Sequence, residues 1–133
     1  MLQRTDLFDQ GALVELCDRC DAVVNLATSI PKPGGRGDWR VNDRIRREGT
    51  ATLLAACSEA AVKLVVQQSV AMIHCHADDR PQTEDDPTVG YGVLASAIDM
   101  EALVAASPLD VRLVRGGLFY GPGTAREEQW LNE

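Results

Sequence analysis

Apolar positions along this chain switch between two periods. Between Phe8 and Arg19, Leu13, Leu16 and Cys17 share one helical face and Asp9 stands at an N-cap position, which predicts a short amphipathic helix. Asp21-Ala-Val-Val-Asn-Leu-Ala27 is a compact β-branched run between polar residues, the pattern of a strand buried on both faces of a parallel sheet. Ser29 to Gly37, with Pro31, Pro33, Gly34 and Gly35, reads as loop. From Asp38 the period is helical again for roughly 20 residues, with Val41, Ile45, Leu53, Ala56, Cys57 and Ala60 as the apolar stripe and Asp43, Arg44, Arg47 and Glu48 opposite. Val62 to Ser69 is a second strand and Val70 to Asp86 a polar loop. Gly92 to Ser107 is a helix with Leu94, Ile98, Leu103 and Val104 as its stripe, and Val111 to Arg115 a third strand. Thr124 to Glu133 adds at most a short, weakly anchored helix.

Alternating helices and strands of these lengths specify a parallel α/β sheet joined by crossovers. Such sheets bind ligands at the carboxyl ends of their strands. The positions to watch are therefore Ala27-Thr28, Gln68-Ser69 and Gly116 to Tyr120.

Composition narrows the classes of partner. A chain of 133 residues has the length of one domain, and 20 acidic against 13 basic residues leave a net charge of −7. A surface of that sign opposes binding to nucleic acid or to an anionic membrane. No apolar run reaches the length of a bilayer span and the N-terminus carries no signal-peptide core, so a cytoplasmic location is expected. Reduced thiols are expected at Cys17, Cys20, Cys57 and Cys75. Cys17-x-x-Cys20 with His74-Cys75-His76 has the atoms of a zinc site, but Cys17 belongs to an apolar helix face, and no metal is expected. The acidic loop around Asp78, Asp79, Glu84, Asp85 and Asp86 lacks calcium-loop spacing and reads as solvated. Arg44, Arg46 and Arg47, flanked by Asp43 and Glu48, read as a salt-bridged helix surface, and Trp39 as a packing anchor.

The strand ends and their flanks carry a family pattern. Asp6-Leu7-x-Asp9 is followed in order by Cys20-Asp-Ala-Val-Val-Asn-Leu-Ala27 and Glu48-Gly-Thr-Ala-Thr-Leu-Leu-Ala-Ala-Cys57. Then come Leu64-Val-Val-Gln-Gln-Ser-Val-Ala71, Ser96-Ala-Ile-Asp-Met-Glu101 and Val114-Arg-Gly-Gly-Leu-Phe-Tyr-Gly-Pro-Gly123. This series resembles the NAD-dependent epimerase/dehydratases, the extended short-chain dehydrogenase/reductases. The resemblance implies an α/β, partial NAD(P)-binding Rossmann-type domain over residues 1–123, with 124–133 opening a C-terminal part. It implies NAD or NADP as cofactor, with Asp6 and Leu7 beside the adenine and Ala27 and Thr28 under the ribose and diphosphate. Gln68 would stand at the second strand end, and Gly116, Gly117 and Leu118 would pass the nicotinamide amide. Ser69 matches the hydroxyl that bonds the reacting substrate oxygen.

Three departures qualify those expectations. The glycine-rich βαβ unit that opens the family's fold and binds the dinucleotide diphosphate at a helix N-terminus has no counterpart in this sequence. The family's Tyr-x-x-x-Lys pair, in which lysine makes the phenol a usable acid and base, is replaced by Val93 and Ala97. Tyr91, two residues away, is the only phenol near that position and is the displaced candidate for catalysis. Arg46 stands where the family's helix has asparagine, with Asn42 one turn earlier on the same face. The leading expectation is an oxidoreductase fragment whose full-length form acts on a nucleotide sugar or related hydroxy or keto compound. The alternative is a non-catalytic domain that senses a dinucleotide or binds a protein. The strand at 22–27, lacking its family neighbour, is expected to leave an open edge for a second copy or a missing N-terminal half.

Overall fold

Asp9 caps the first helix as its position implies: its Oδ1 accepts from the Ala12 amide at 3.0 Å. The computed structural model describes residues 3–31, 38–74, 80–117 and 119. Helix α1 (Gln10–Cys17) buries Leu13 and Cys17, and Arg19 then turns the chain with φ 64° into strand β1 (Ala22–Asn25). A long helical segment follows: α2 (Trp39–Arg44), a π turn (Ile45–Gly49) and α3 (Thr50–Glu59). Strand β2 (Leu64–Val70) runs into a 3-10 turn at Ala71–His74. A second 3-10 turn (Gly92–Leu94) leads into α4 (Ala95–Ala106) and then β3 (Val111–Gly116).

The three strands form one parallel sheet in the order β1-β2-β3, with Asn25 opposite Gln67 and Ser69 opposite Arg115. This is the partial Rossmann-type architecture expected from the alternation of elements. Leu13, Cys17, Leu53, Ala56, Cys57, Val62 and Val65 make the core, with Val23, Val104 and Val111 packed on its margin.

Burial on both faces of the strands, as the apolar runs suggest, is not found among the described residues. The helices cover the side of Val65, Gln67 and Ser69, whereas Val24 is 59%, Leu26 62% and Val114 52% exposed on the other. Continuous apolar runs report what a strand is built to bury, and here one face has no described layer against it.

The segment from Trp39 to Glu59 differs from its apolar stripe in a way that matters for the site. Val41 is 51% exposed, while Asn42, Arg46, Gly49 and Thr50 face inward. Polar side chains thus occupy the buried face of its first half, which an apolar periodicity cannot register. The π turn shifts the face by a residue where Gly49 meets Leu7: a Cβ at Gly49 would lie 2.5 Å from Leu7 Cδ2. Likewise α4 buries Ser96, Ala97 and Met100, and Leu103 of its expected stripe lies outward.

Candidate functional site

Below the strand ends, buried amides fix the sheet. Asn25 Nδ2 donates to Gln67 Oε1 at 2.8 Å, and Asn25 Oδ1 accepts from the Ala27 amide at 3.1 Å, which sets the exit of β1. Gln67 Nε2 in turn donates to the Gln68 carbonyl and lies 3.3 Å from Met100 Sδ. Buried amides satisfied in this way hold a local geometry that apolar packing alone would leave loose.

Above them, Ala27, Thr28, Ile30, Arg46, Gln68, Ser69, Val70 and Met100 enclose a cavity of about 40 Å³. On the open face of the sheet, a wider trough of about 350 Å³ is lined by Leu26, Val66, Gln68, Val114, Gly116 and Phe119, so Gln68 borders both. The trough has the size and apolar character of a small-molecule site, and the polar cavity lies at its edge.

Ser69 is 3% exposed and donates from Oγ to Glu101 Oε1 at 2.5 Å. Glu101 is also held by Arg115, at 2.7 Å from Nη2 and 3.1 Å from Nε. This two-point pair holds the Arg115 guanidinium above its ordinary pKa, against the burial that opposes its charge. Arg115 Nη1 lies 2.9 Å from His74 Nε2; arginine has only donors, so the imidazole nitrogen accepts. The proton of that ring then sits on Nδ1, which is buried with no hydrogen-bond partner among the described residues.

Arg46 enters from the π turn and is 8% exposed. Its Nη1 donates to the Val93 carbonyl at 3.1 Å and to Ser96 Oγ at 3.2 Å, joining the long helix to the first turn of α4. Burial pulls its pKa below the ordinary arginine value, while Asp43 favours the charged form. Arg46 is therefore no part of a solvated salt-bridged surface, although Arg44 with Glu48 (2.8 Å) and Arg47 with Asp99 (2.7 Å) are. One turn earlier, Asn42 Oδ1 accepts from Thr28 Oγ1 at 2.9 Å and from the Ser29 amide at 3.0 Å, tying the loop after β1 to the helix.

The structure thus brings Ala27, Thr28, Gln68 and Ser69 around one cavity, and Gly116 beside the adjoining trough. Gly117 follows Gly116 with open space where a Cβ would stand. Tyr91 precedes the turn into α4, is 63% exposed and lines neither space. Asp6 caps its own turn by accepting from the Phe8 amide at 3.0 Å, and Leu7 packs on the core, both outside the two linings. Leu118, Gly121 to Gly123, the 124–133 tail, the glycines at 34, 35 and 37, and Cys75, His76, Asp78 and Asp79 lie outside the described residues. Cys17 faces Cys57 in the core at 4.0 Å, and Cys20 is exposed, its Sγ bonded to the Leu16 carbonyl. Glu101 and Arg115 stand in motifs of the sequence that give no sign of the contacts Ser69 makes with Glu101 and Glu101 with Arg115. From the sequence Arg46 reads as surface; the signal available was its position in place of asparagine on the inward helix face.

The strand-end cavity, Ser69 at the close of β2 and the order of elements match one known pattern. The sequence model of the NAD dependent epimerase/dehydratase family matches residues 1–131. The chain belongs to that family. A curated relative, 3-diazoavenalumate denitrifying reductase from a Streptomyces species, is 36% identical over 88 residues, which cover 61% of this chain and 29% of the relative. Among solved structures, DesIV, a dTDP-glucose 4,6-dehydratase from Streptomyces venezuelae with NAD and TYD bound, is similar with TM-score 0.79 and 26% identity, over 92% of this chain and 40% of that one. WbmG of Bordetella bronchiseptica, in complex with NAD and UDP, shares the fold with TM-score 0.72 and 23% identity, over 85% and 36%. The chain spans less than half the length of each of these proteins.

Against the family's dinucleotide, the described residues fit one end better than the other. Small residues at Ala27 and Gly116, with Thr28, Gln68 and Ser69 between them, leave room and hydrogen-bonding groups for a ribose and a flat ring. For a diphosphate the N-termini of α1 and α2 are poorly suited, because their first amides are already engaged by the carboxylates of Asp9 and Asp38.

Proposed function

We propose that this chain provides the strand-end part of the catalytic site of an NAD(P)-dependent oxidoreductase of the epimerase/dehydratase type, acting in its full-length form on a nucleotide sugar or related hydroxy or keto compound in the cytoplasm. The observation that carries the proposal is Ser69, a buried hydroxyl at the end of β2 that shares a cavity lining with Ala27, Thr28 and Gln68. When bound, the nicotinamide supplies or accepts the hydride. The chain's own residues bind and orient. Ser69 holds the substrate oxygen, Ala27 and Thr28 lie under the ribose and diphosphate, and Gly116, Gly117 and Leu118 pass the carboxamide. Asp6 and Leu7 receive the adenine. DesIV, whose structure holds NAD, supports the cofactor class without choosing between NAD and NADP. Tyr91 is the displaced phenol in this reading, and its exposure makes it secondary to Ser69. The open face of the sheet is covered by the remainder of a family-length polypeptide, since the matched part is 36% of WbmG and 40% of DesIV.

Titration of NADH and NADPH into the purified chain, followed by nicotinamide fluorescence, tests the proposal. Saturation at micromolar concentration with one of the two, weakened at least several-fold by Gln68→Leu, is expected. A folded chain that saturates with neither contradicts it. Binding without turnover of any hydroxy or keto compound would instead favour the non-catalytic alternative.

A second reading is favoured by Val93 and Ala97. Without a phenol-lysine pair, hydride delivery is best suited to an acceptor that expels a neutral leaving group and needs no proton at that site. The Streptomyces relative is named as a denitrifying reductase, which supports a reductive role of this kind. An assay in which NADH is consumed only with acceptors of that class, and never with ketones, would select it.

A further inference from the structure

Arg46 is the charged residue in the lining of the strand-end cavity, 8% exposed and without an ion-pair partner among the described residues. Its two hydrogen bonds, both from Nη1, go to neutral acceptors, the Val93 carbonyl and Ser96 Oγ. A guanidinium has five N–H donors, and among the described residues Nε and Nη2 have no acceptor and no carboxylate forms an ion pair with the group. Burying such a charge is costly unless something pairs with it. Asp43 favours its charge through space but makes no ion pair with it. Glu101, which reaches the neighbouring Ser69, is already neutralised by Arg115. From α4, the wholly buried Ala97 and the 1% exposed Ser96 face this region, so α4 brings no cation of its own.

We propose that this cavity is an oxyanion pocket in which the Arg46 guanidinium takes a carboxylate or phosphate oxygen of a bound small molecule. Its volume of about 40 Å³ suits one head group, and the trough of about 350 Å³ that shares Gln68 takes the rest of the ligand. Thr28 and Ser69 border the head group, their hydroxyl protons already committed to Asn42 and Glu101, so Arg46 is the donor that decides its charge. The inference rests on the reading that the strand ends hold a ligand, and concerns the sign of the group that meets Arg46 there.

The test is the melting temperature of the full chain in acetate or phosphate against chloride at equal ionic strength. At anion concentrations of about 100 mM, a rise of about 3 °C over chloride is expected for at least one of the two. The rise is lost in Arg46→Gln and retained in Arg46→Lys. Should Arg46→Gln fail to fold, Gln68→Glu carries the test, because a carboxylate in the same cavity lining repels a bound anion and abolishes the effect while Arg46 is kept. General salt effects of phosphate act on all variants alike and cancel in this comparison. A response to acetate alone identifies a carboxylate ligand, and one to phosphate alone a phosphorylated one; either supports the pocket. Equal melting in the three salts, or an anion effect that persists in both Arg46→Gln and Gln68→Glu, overturns it. If NADH saturates the chain while the anions act no differently from chloride, the pocket is wrong and the oxidoreductase reading stands. If an Arg46-dependent anion effect is found without dinucleotide binding, the pocket stands and the oxidoreductase reading falls.

Discussion

Ser69 is poised by a carboxylate, not by a base waiting for its proton. Its hydroxyl proton points to Glu101, leaving the oxygen's lone pairs toward the cavity, and Glu101 depends on Arg115 to keep its charge tolerable at 12% side-chain exposure. Glu101→Gln removes one side of a two-point charge-assisted contact and leaves Arg115, 20% exposed, without its anion. Urea unfolding should register a loss of about 2 kcal/mol, the scale of hydrogen bonds to a charged group; no change would mean that the pair is solvated and the Ser69 orientation unsupported. Cys57 gives a second residue-level prediction. Burial, followed by the neighbouring Cys17, pushes its thiol up to about 12, so it should resist alkylation at pH 8 while exposed Cys20 reacts, as mass spectrometry of the labelled chain would read out. The unfolded thiol ionises nearer 9, so between roughly pH 9 and 12 the folded state holds the extra proton and stability falls as pH rises. Cys57→Ala should flatten that alkaline fall. At this scale the sequence was legible where a residue ends an element. Asp9 as N-cap followed from its type and place, whereas the Ser69–Glu101–Arg115 contact joins β2, α4 and β3, which only the parallel register and the packing of α4 bring together.

At the scale of elements, apolar spacing located each helix and strand, and it failed where the buried face is polar. Asn42, Arg46 and Thr50 face inward on the long helix, so the stripe through Val41 was misassigned and Arg46 was read as surface. In α4 the small residues Ser96 and Ala97 are buried, because close approach to the π turn leaves no room for larger ones. The π turn itself carries no apolar signature; its sign is Gly49, which lets Leu7 pack against the helix backbone. Gly49→Ala should therefore destabilise the chain by about 1–3 kcal/mol, since the added methyl must displace the Leu7 side chain. Equal denaturation midpoints for the two proteins would show that the loop before α1 yields freely and that the π turn is not fixed by this contact.

Among the described residues the molecule is a sheet with one clothed and one bare face. Its two outer strands each lack a described neighbour on one side, and Val24, Leu26 and Val114 lie open on the bare face. Apolar surface of this kind favours association. Light scattering should find the isolated chain self-associating in a concentration-dependent way, and Val24→Lys with Val114→Lys should return it to the monomer mass. A monomer at all concentrations would mean that residues outside the described ones already cover that face. The fold class was readable because parallel crossovers leave few arrangements for this order of elements, but a covering layer is a tertiary property that no local pattern in the strands encodes. The central claim, a ligand site at the carboxyl ends of β1 and β2, is tested most directly by titrating NAD⁺, NADH, NADP⁺ and NADPH into isotopically labelled chain and mapping amide shifts by NMR. Saturable shifts concentrated at Ala27, Thr28, Gln68, Ser69 and Gly116 are expected. Shifts confined to other surfaces, or none in a folded chain, would contradict that claim.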